Sequence, residues 1–199
     1  IYIYDHCDRI AFRYGCRWGR CGTCAVAVNG DPVLACKTAA KERMTISPLS
    51  GFPIVRDLVI DRREYDSRLT RLRLFLERTE THSIRPDRLR SEQLIDFKTA
   101  NRCLDCLCCV STCPTTRQAP SRYIGPMGLL NLSKFISDPR DRGKRVTVAL
   151  SEELRRCTLC QKCRQTCPLH LDIPKIAIEK LRAYARALSC NEARPKERE

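Results

Sequence analysis

The sequence predicts an α+β protein, with a small strand-bearing first part and a helical second part. Three observations predict this. Short β-type runs, Ala25-Val26-Ala27-Val28 and Met44-Thr45-Ile46, fall early in the chain. Apolar residues recur at helical spacing from Leu69 onward. One cysteine-rich run occurs twice in the second half, the mark of a duplicated supersecondary unit.

The elements follow in order. Residues 1–61 hold the β-type runs, with Asn29-Gly30-Asp31-Pro32 reading as a hairpin turn. Residues 62–98 are charged and lack cysteine. Leu69, Leu72, Leu76 and then Leu94, Ile95 and Phe97 make this stretch a helical connector. Residues 99–190 carry the two cysteine runs. Between them Pro126 opens a helix that Asp138-Pro139 ends. Ile176, Lys180, Leu181, Tyr184 and Leu188 define a last amphipathic helix, with Pro174 near its start. Residues 191–199 are a charged tail, expected to be disordered.

The chain has 199 residues, fifteen of them cysteine. In a secreted protein that count would suggest disulfides. The first residues show no signal or transit peptide, and the CxxC-like spacing is that of metal sites. A reducing, cytoplasmic setting follows. No apolar run approaches the ~20 residues of a membrane span, so a soluble or peripheral protein is expected.

Cys16, Cys21 and Cys24 have C-x4-C-x2-C spacing, with Cys36 downstream. This is the plant-type [2Fe–2S] pattern. Gly15, Gly19 and Gly22 let the loop fold tightly and aim backbone N–H groups at sulfur. Cys36 is expected on the strand after the turn. Trp18 lies inside the loop and is expected to shield it from water. Arg17 and Arg20 flank the loop, either as docking residues or as solvated surface charges.

Cys103, Cys106, Cys109 and Cys113-Pro114 match Cys157, Cys160, Cys163 and Cys167-Pro168 position by position. Both runs read C-x2-C-x2-C-x3-C-P, the bacterial two-cluster pattern in which each fourth cysteine serves the other cluster. One cubane site is therefore Cys103, Cys106, Cys109 and Cys167. The other is Cys113, Cys157, Cys160 and Cys163. Zinc is the alternative metal, but it explains neither the third cysteine of each run nor the terminal C-P. Cys7, Cys108 and Cys190 remain. Cys108 reads as a small buried side chain, and the other two as structural. His6, His82 and His170 have no ligand-like spacing.

The formal charge is +14, or about +8 once twelve thiolates and three cluster cores are counted. A basic chain suggests anionic partners. A zinc-containing nucleic-acid binder is the reading from another class, but the basic stretches lack interleaved aromatics. No GxGxxG or P-loop is present, and no Ser/His/Asp set stands out. The chain has no substrate-converting site of its own: it carries electrons, and a partner does the bond chemistry.

A plant-type [2Fe–2S] set followed by a helical double-cubane set resembles the iron–sulfur subunit of succinate dehydrogenase and fumarate reductase. The residues are Phe12-Arg13-Tyr14-Gly15-Cys16-Arg17, Cys21-Gly22-Thr23-Cys24, Leu34-Ala35-Cys36, Val55 to Asp61, Cys103 to Pro114, Tyr123-Ile124-Gly125-Pro126 and Cys157 to Pro168. The resemblance implies a β-grasp [2Fe–2S] domain followed by an α-helical ferredoxin domain. It implies an FAD-containing flavoprotein partner that interconverts succinate and fumarate. Electrons would pass between that flavin, the [2Fe–2S] centre, the middle [4Fe–4S] centre and the last centre. The other partner would be a membrane-anchor subunit or a heterodisulfide-reductase-like module, placing the chain on the inner face of the cytoplasmic membrane. Cys108 matches a family cysteine that is not a ligand.

Three departures bear on this. Family members carry a longer stretch before the first ligand, so the β-grasp here is expected to lack its opening hairpin. Quinone-linked members lack a cysteine at Cys160 and hold a [3Fe–4S] centre, whereas Cys160 predicts a second [4Fe–4S] if it ligates. The quinone-site tryptophan is absent from Pro114-Thr115-Thr116-Arg117-Gln118, and Thr158 stands where a histidine is common. Thiol-linked fumarate reductases are similar to this chain at Cys160.

Overall fold

The computed structural model describes residues 2–7, 9–78 and 88–192; His82 and the tail beyond residue 192 lie outside them. A short helix α1 (Tyr2–His6) precedes a three-stranded antiparallel sheet of β1 (Ala25–Val28), β2 (Asp31–Leu34) and β3 (Ile46–Ser47), in the order β2-β1-β3. Asn29 and Gly30 both have positive φ, 51° and 90°, as a two-residue hairpin of type I′ requires. The turn is thus shorter than the sequence suggested, and Pro32 belongs to β2, opposite Ala27. The proline is tolerated because β2 is an edge strand. Val26 and Ala27 point to opposite faces and are both buried, so central β1 is covered on both sides.

A hairpin of β4 (Ile54–Arg56) and β5 (Val59–Ile60) leads into α2 (Arg63–Arg71). The connector is not one helix. Arg73 takes a left-handed φ of 52° and stops α2 before Leu72 and Leu76; α3 (Ser91–Ala100) resumes it. Two buried arginines fasten this connector to the helical part. Arg68 pairs with Glu152 at 2.6 Å and donates to the Pro120 carbonyl. Arg145 pairs with Asp141 at 2.7 Å, donates to the carbonyls of Arg73 and Phe75, and lies over the Phe135 ring. Both cations are almost wholly buried and are met by carboxylates and carbonyls, the condition under which a buried charge is tolerated.

The helical part is built round α6 (Gly125–Ile136). It is preceded by α4 (Cys108–Ser111) and α5 (Pro114–Gln118), and followed by α7 (Arg145–Ser151) and α8 (Lys162–Gln165). Met127, Leu129, Leu130 and Leu132 of α6 are fully buried, so this helix is apolar all round and forms the core. Gly128 is required there, because a Cβ would meet Ile124 Cγ1 at 2.3 Å. The chain closes with a π-helical turn, Pro174–Glu179, that runs into α9 (Lys180–Glu192). Its buried face is Ala177, Ile178, Leu181 and Ala185, whereas Tyr184 and Leu188 are exposed. The predicted stripe was out of phase because the π turn adds residues to the helical repeat. Among the described residues no helix is long and apolar enough to cross a membrane.

Candidate metal centres

The first cysteine loop wraps sulfur in backbone donors. Arg20 and Trp18 N–H groups approach Cys16 Sγ at 3.2 and 3.4 Å, Cys16 N–H approaches Cys21 Sγ at 3.5 Å, and Gly19 N–H approaches Cys36 Sγ at 3.1 Å. Left-handed backbone at Arg17, Gly19 and Gly22 turns these groups inward. Such a nest favours an anionic cluster. Cys24 ends the loop just before β1 and is buried, which pushes its thiol up to about 11. Cys21 is exposed and is held down at about 6, first by the Thr23 hydroxyl. Cys36 is not on the strand after the turn but in a 3-10 turn, Ala35–Lys37, that follows β2. That turn swings its sulfur back toward Gly19. Trp18 does not shield the loop: its side chain is 69% exposed, with Arg20 over the ring.

The two repeats adopt one backbone. Asp105 and Leu107 in the first, and Leu159 and Gln161 in the second, are left-handed, with φ between 49° and 66°. These pairs occupy equivalent positions on either side of Cys106 and Cys160. Each is followed by a single turn of helix, α4 or α8, with matching hydrogen bonds from Cys113 N–H to Val110 O and from Cys167 N–H to Arg164 O. Pro114 then starts α5, and Pro168 turns the chain toward the π-helical segment.

Two cavities result. One is lined by Cys103, Cys106, Cys109 and Cys167, with apolar Leu104, Leu107, Met127, Leu171 and Ile173 around them. The other is lined by Cys113, Cys157, Cys160 and Cys163, with Pro126, Leu159 and Pro174 and with Thr115, Thr158, Gln161 and Lys162 around them. Each fourth cysteine crosses to the other repeat. Four thiols line each cavity, the ligand number of a cubane cluster. Burial pushes Cys103 and Cys163 up to about 12 and raises Cys109 as well, so loading must release protons. Cys106 runs the other way, held down at about 7 chiefly by the Cys108 thiol. Cys108, fully buried, is the largest influence on Cys106.

The three sites adjoin. Gly22 packs against the second loop so closely that a Cβ there would sit 2.4 Å from Leu104 O and 3.0 Å from Cys106 Cβ. The second and third sets are close enough that Cys163 bears on Cys109. Cysteine spacing held no hint of the Gly22 contact, of the influence of Cys108 on Cys106, or of Tyr123, whose buried hydroxyl has no hydrogen-bond partner among the described residues. His170 is exposed beyond Cys167-Pro168.

The fold and these sites define a class: a ferredoxin of two parts, with a donor-lined four-cysteine loop and two interleaved four-cysteine cavities. Residues 2–67 match the model of a 2Fe-2S iron-sulfur cluster binding domain, and residues 99–171 that of a 4Fe-4S dicluster domain. The fumarate reductase iron-sulfur subunit of Mycobacterium tuberculosis is 33% identical, over 94% of this chain and 80% of its own length. The succinate dehydrogenase iron-sulfur subunit of Coxiella burnetii is 33% identical over 87% of this chain and 76% of its own. The chain therefore belongs to the iron–sulfur subunit family of succinate dehydrogenases and fumarate reductases, with [2Fe–2S] and [4Fe–4S] clusters as its cofactors. A subunit of the fumarate reductase (CoM/CoB) of Methanothermobacter marburgensis is 40% identical over 88% of this chain but only 35% of that protein. The chain spans about a third of the length of such relatives. The solved Mycobacterium smegmatis Sdh1 complex, apo form, superposes with a TM-score of 0.81 at 24% identity, over 98% of this chain and 84% of that one, a likeness of fold.

Proposed function

We propose that this chain relays electrons between an FAD-containing flavoprotein that interconverts succinate and fumarate and a second acceptor. Bound clusters supply one-electron redox capacity at each site. The residues supply order and insulation. Cys16, Cys21, Cys24 and Cys36 hold the [2Fe–2S] centre at the exposed end. Cys103, Cys106, Cys109 and Cys167 hold a [4Fe–4S] centre in the apolar middle. Cys113, Cys157, Cys160 and Cys163 hold the third. The contact of Gly22 with Leu104 and Cys106 carries this reading, because it sets the first loop directly against the second site. Arg17 and Arg20, exposed on the first loop, suit an acidic docking face.

The third centre is a [4Fe–4S] cluster in this reading, since Cys160 repeats the backbone of Cys106 and lines the cavity. With no tryptophan in residues 114–118 and Thr158 in place of histidine, the acceptor is a thiol/disulfide module rather than a quinone held by a membrane anchor. The name of the Methanothermobacter relative, which couples fumarate reductase to CoM/CoB, supports the same choice. The complex works at the inner face of the cytoplasmic membrane or in the cytoplasm beside it. The test is fumarate reduction by the assembled complex with thiol donors and with quinols. Thiol-driven turnover is expected; turnover with quinol alone would return the chain to the quinone-linked branch.

A further inference from the structure

Two tyrosines are buried, Tyr65 in α2 and Tyr123 just before α6, and they differ in one respect. Tyr65 donates its hydroxyl to the Ile124 carbonyl at 2.8 Å. Tyr123, with no exposed surface at all, has a hydroxyl without a hydrogen-bond partner among the described residues. Buried hydroxyls are rarely left so. The groups that bear on this phenol are Cys157, Cys113 and Cys163, three of the four cysteines of the third cavity. The hydroxyl faces the Cys157 side chain but does not reach bonding geometry with it. A neutral thiol is a weak acceptor; a cluster-bound thiolate is a much stronger one.

The surroundings of Cys157 point the same way. Arg182 donates to the carbonyls of Leu154, Arg155 and Cys157, so this ligand is already gripped from its backbone side. Its sulfur takes the Leu159 N–H at 3.4 Å, and the Tyr123 phenol is the side-chain donor nearest to joining that bond. The equivalent ligand in the first repeat, Cys103, meets the Asp105 carboxyl instead.

We propose that Tyr123 is a positioning residue for the third centre, its O–H donating a hydrogen bond to the Cys157 sulfur when that sulfur is a cluster ligand. The proposal rests on the reading that Cys113, Cys157, Cys160 and Cys163 hold an iron–sulfur cluster. A donor at a ligand sulfur stabilises the more negative, reduced state and raises the reduction potential.

The test is an EPR-monitored redox titration of the loaded complex, comparing wild type with Tyr123→Phe, which keeps the ring and removes the donor. Reduction of the third centre should become severalfold to about tenfold less favourable, a fall of up to about 59 mV for a one-electron couple, with the other two centres unmoved. An unchanged third potential, or an equal shift of all three, would overturn the inference. Should Tyr123→Phe fail to load, wild-type sequence grown with 3-fluorotyrosine decides: the stronger donor raises the third potential, and no change again overturns the inference. Absence of a third-centre signal in the wild type would instead overturn the cluster reading beneath it.

Discussion

In the first repeat the residue after left-handed Leu107 is Cys108, fully buried with its thiol against Cys106. In the second the same position is Lys162, exposed to solvent. Asp105, bonded to Asn131 and close to Cys103, corresponds to Leu159. Leu104 and Leu107 correspond to Thr158 and Gln161. The backbone is shared and the surroundings are not. Ligand spacing and steric rules shape the loop, while side chains set its dielectric and charge. An added electron is disfavoured in the first site, beside a carboxylate, and favoured in the second, beside a lysine. The middle centre should therefore have the lower potential and the third the higher, a difference that redox titration of the loaded complex would measure.

The largest test of this comparison exchanges equivalent cysteines. Cys106→Ser should empty the middle site, removing about four irons per chain, because that site is closed and apolar. Cys160→Ser, at an exposed position, should leave a three-iron centre and remove about one. Iron analysis and EPR separate the two. Equal losses would mean that environment does not distinguish the repeats.

Next in size is Gly22→Ala. The added Cβ collides with Leu104 O, and the residue must hold a φ of 71°. Denaturant unfolding should show a loss of about 1–3 kcal/mol. The spin coupling between the first and middle centres should weaken in EPR as the loops separate. Retention of both stability and coupling would remove the contact on which the relay order rests.

Charge exchanges come third. Asp105→Asn should raise the middle potential and Lys162→Gln should lower the third, each by an amount on the order of tens of millivolts. Together they narrow the gap. A gap that ignores both substitutions would assign it to solvent access alone.

The smallest effect is that of Cys108→Ala in the cluster-free protein. Cys106 is held down at about 7 by the Cys108 thiol, below the ordinary thiol value. That lowered value stabilises the fold above about pH 9 and the contribution fades as pH falls through about 7. The stability difference between wild type and variant should thus be greatest in alkali and fall to a constant packing loss below neutrality, as thermal unfolding across pH would show.

Much of this was legible in the sequence because cluster loops are local. Four cysteines at fixed spacing constrain one short segment, and the cavities bring Cys167 to the first repeat and Cys113 to the second. The helix at Pro126 was legible for the same reason. What the sequence hid was produced by packing. Gly22 reads as one loop glycine among three until Leu104 is seen against it. Trp18 reads as a shield, yet its ring turns outward under Arg20. Cys36 reads as a strand residue, but a 3-10 turn carries it. The last helix reads as a regular stripe, and the π turn at Pro174 shifts its phase. Tyr123 reads only as one residue of the motif Tyr123-Ile124-Gly125-Pro126, and its buried, unpartnered hydroxyl is seen only in the fold.

The most direct measurement is iron and sulfide analysis with EPR on the full complex, purified without oxygen. About ten irons per chain, with no EPR signal in the oxidised state, is the predicted result and makes Cys160 a ligand equivalent to Cys106. About nine irons with an oxidised three-iron signal would contradict that equivalence and the acceptor inferred from it.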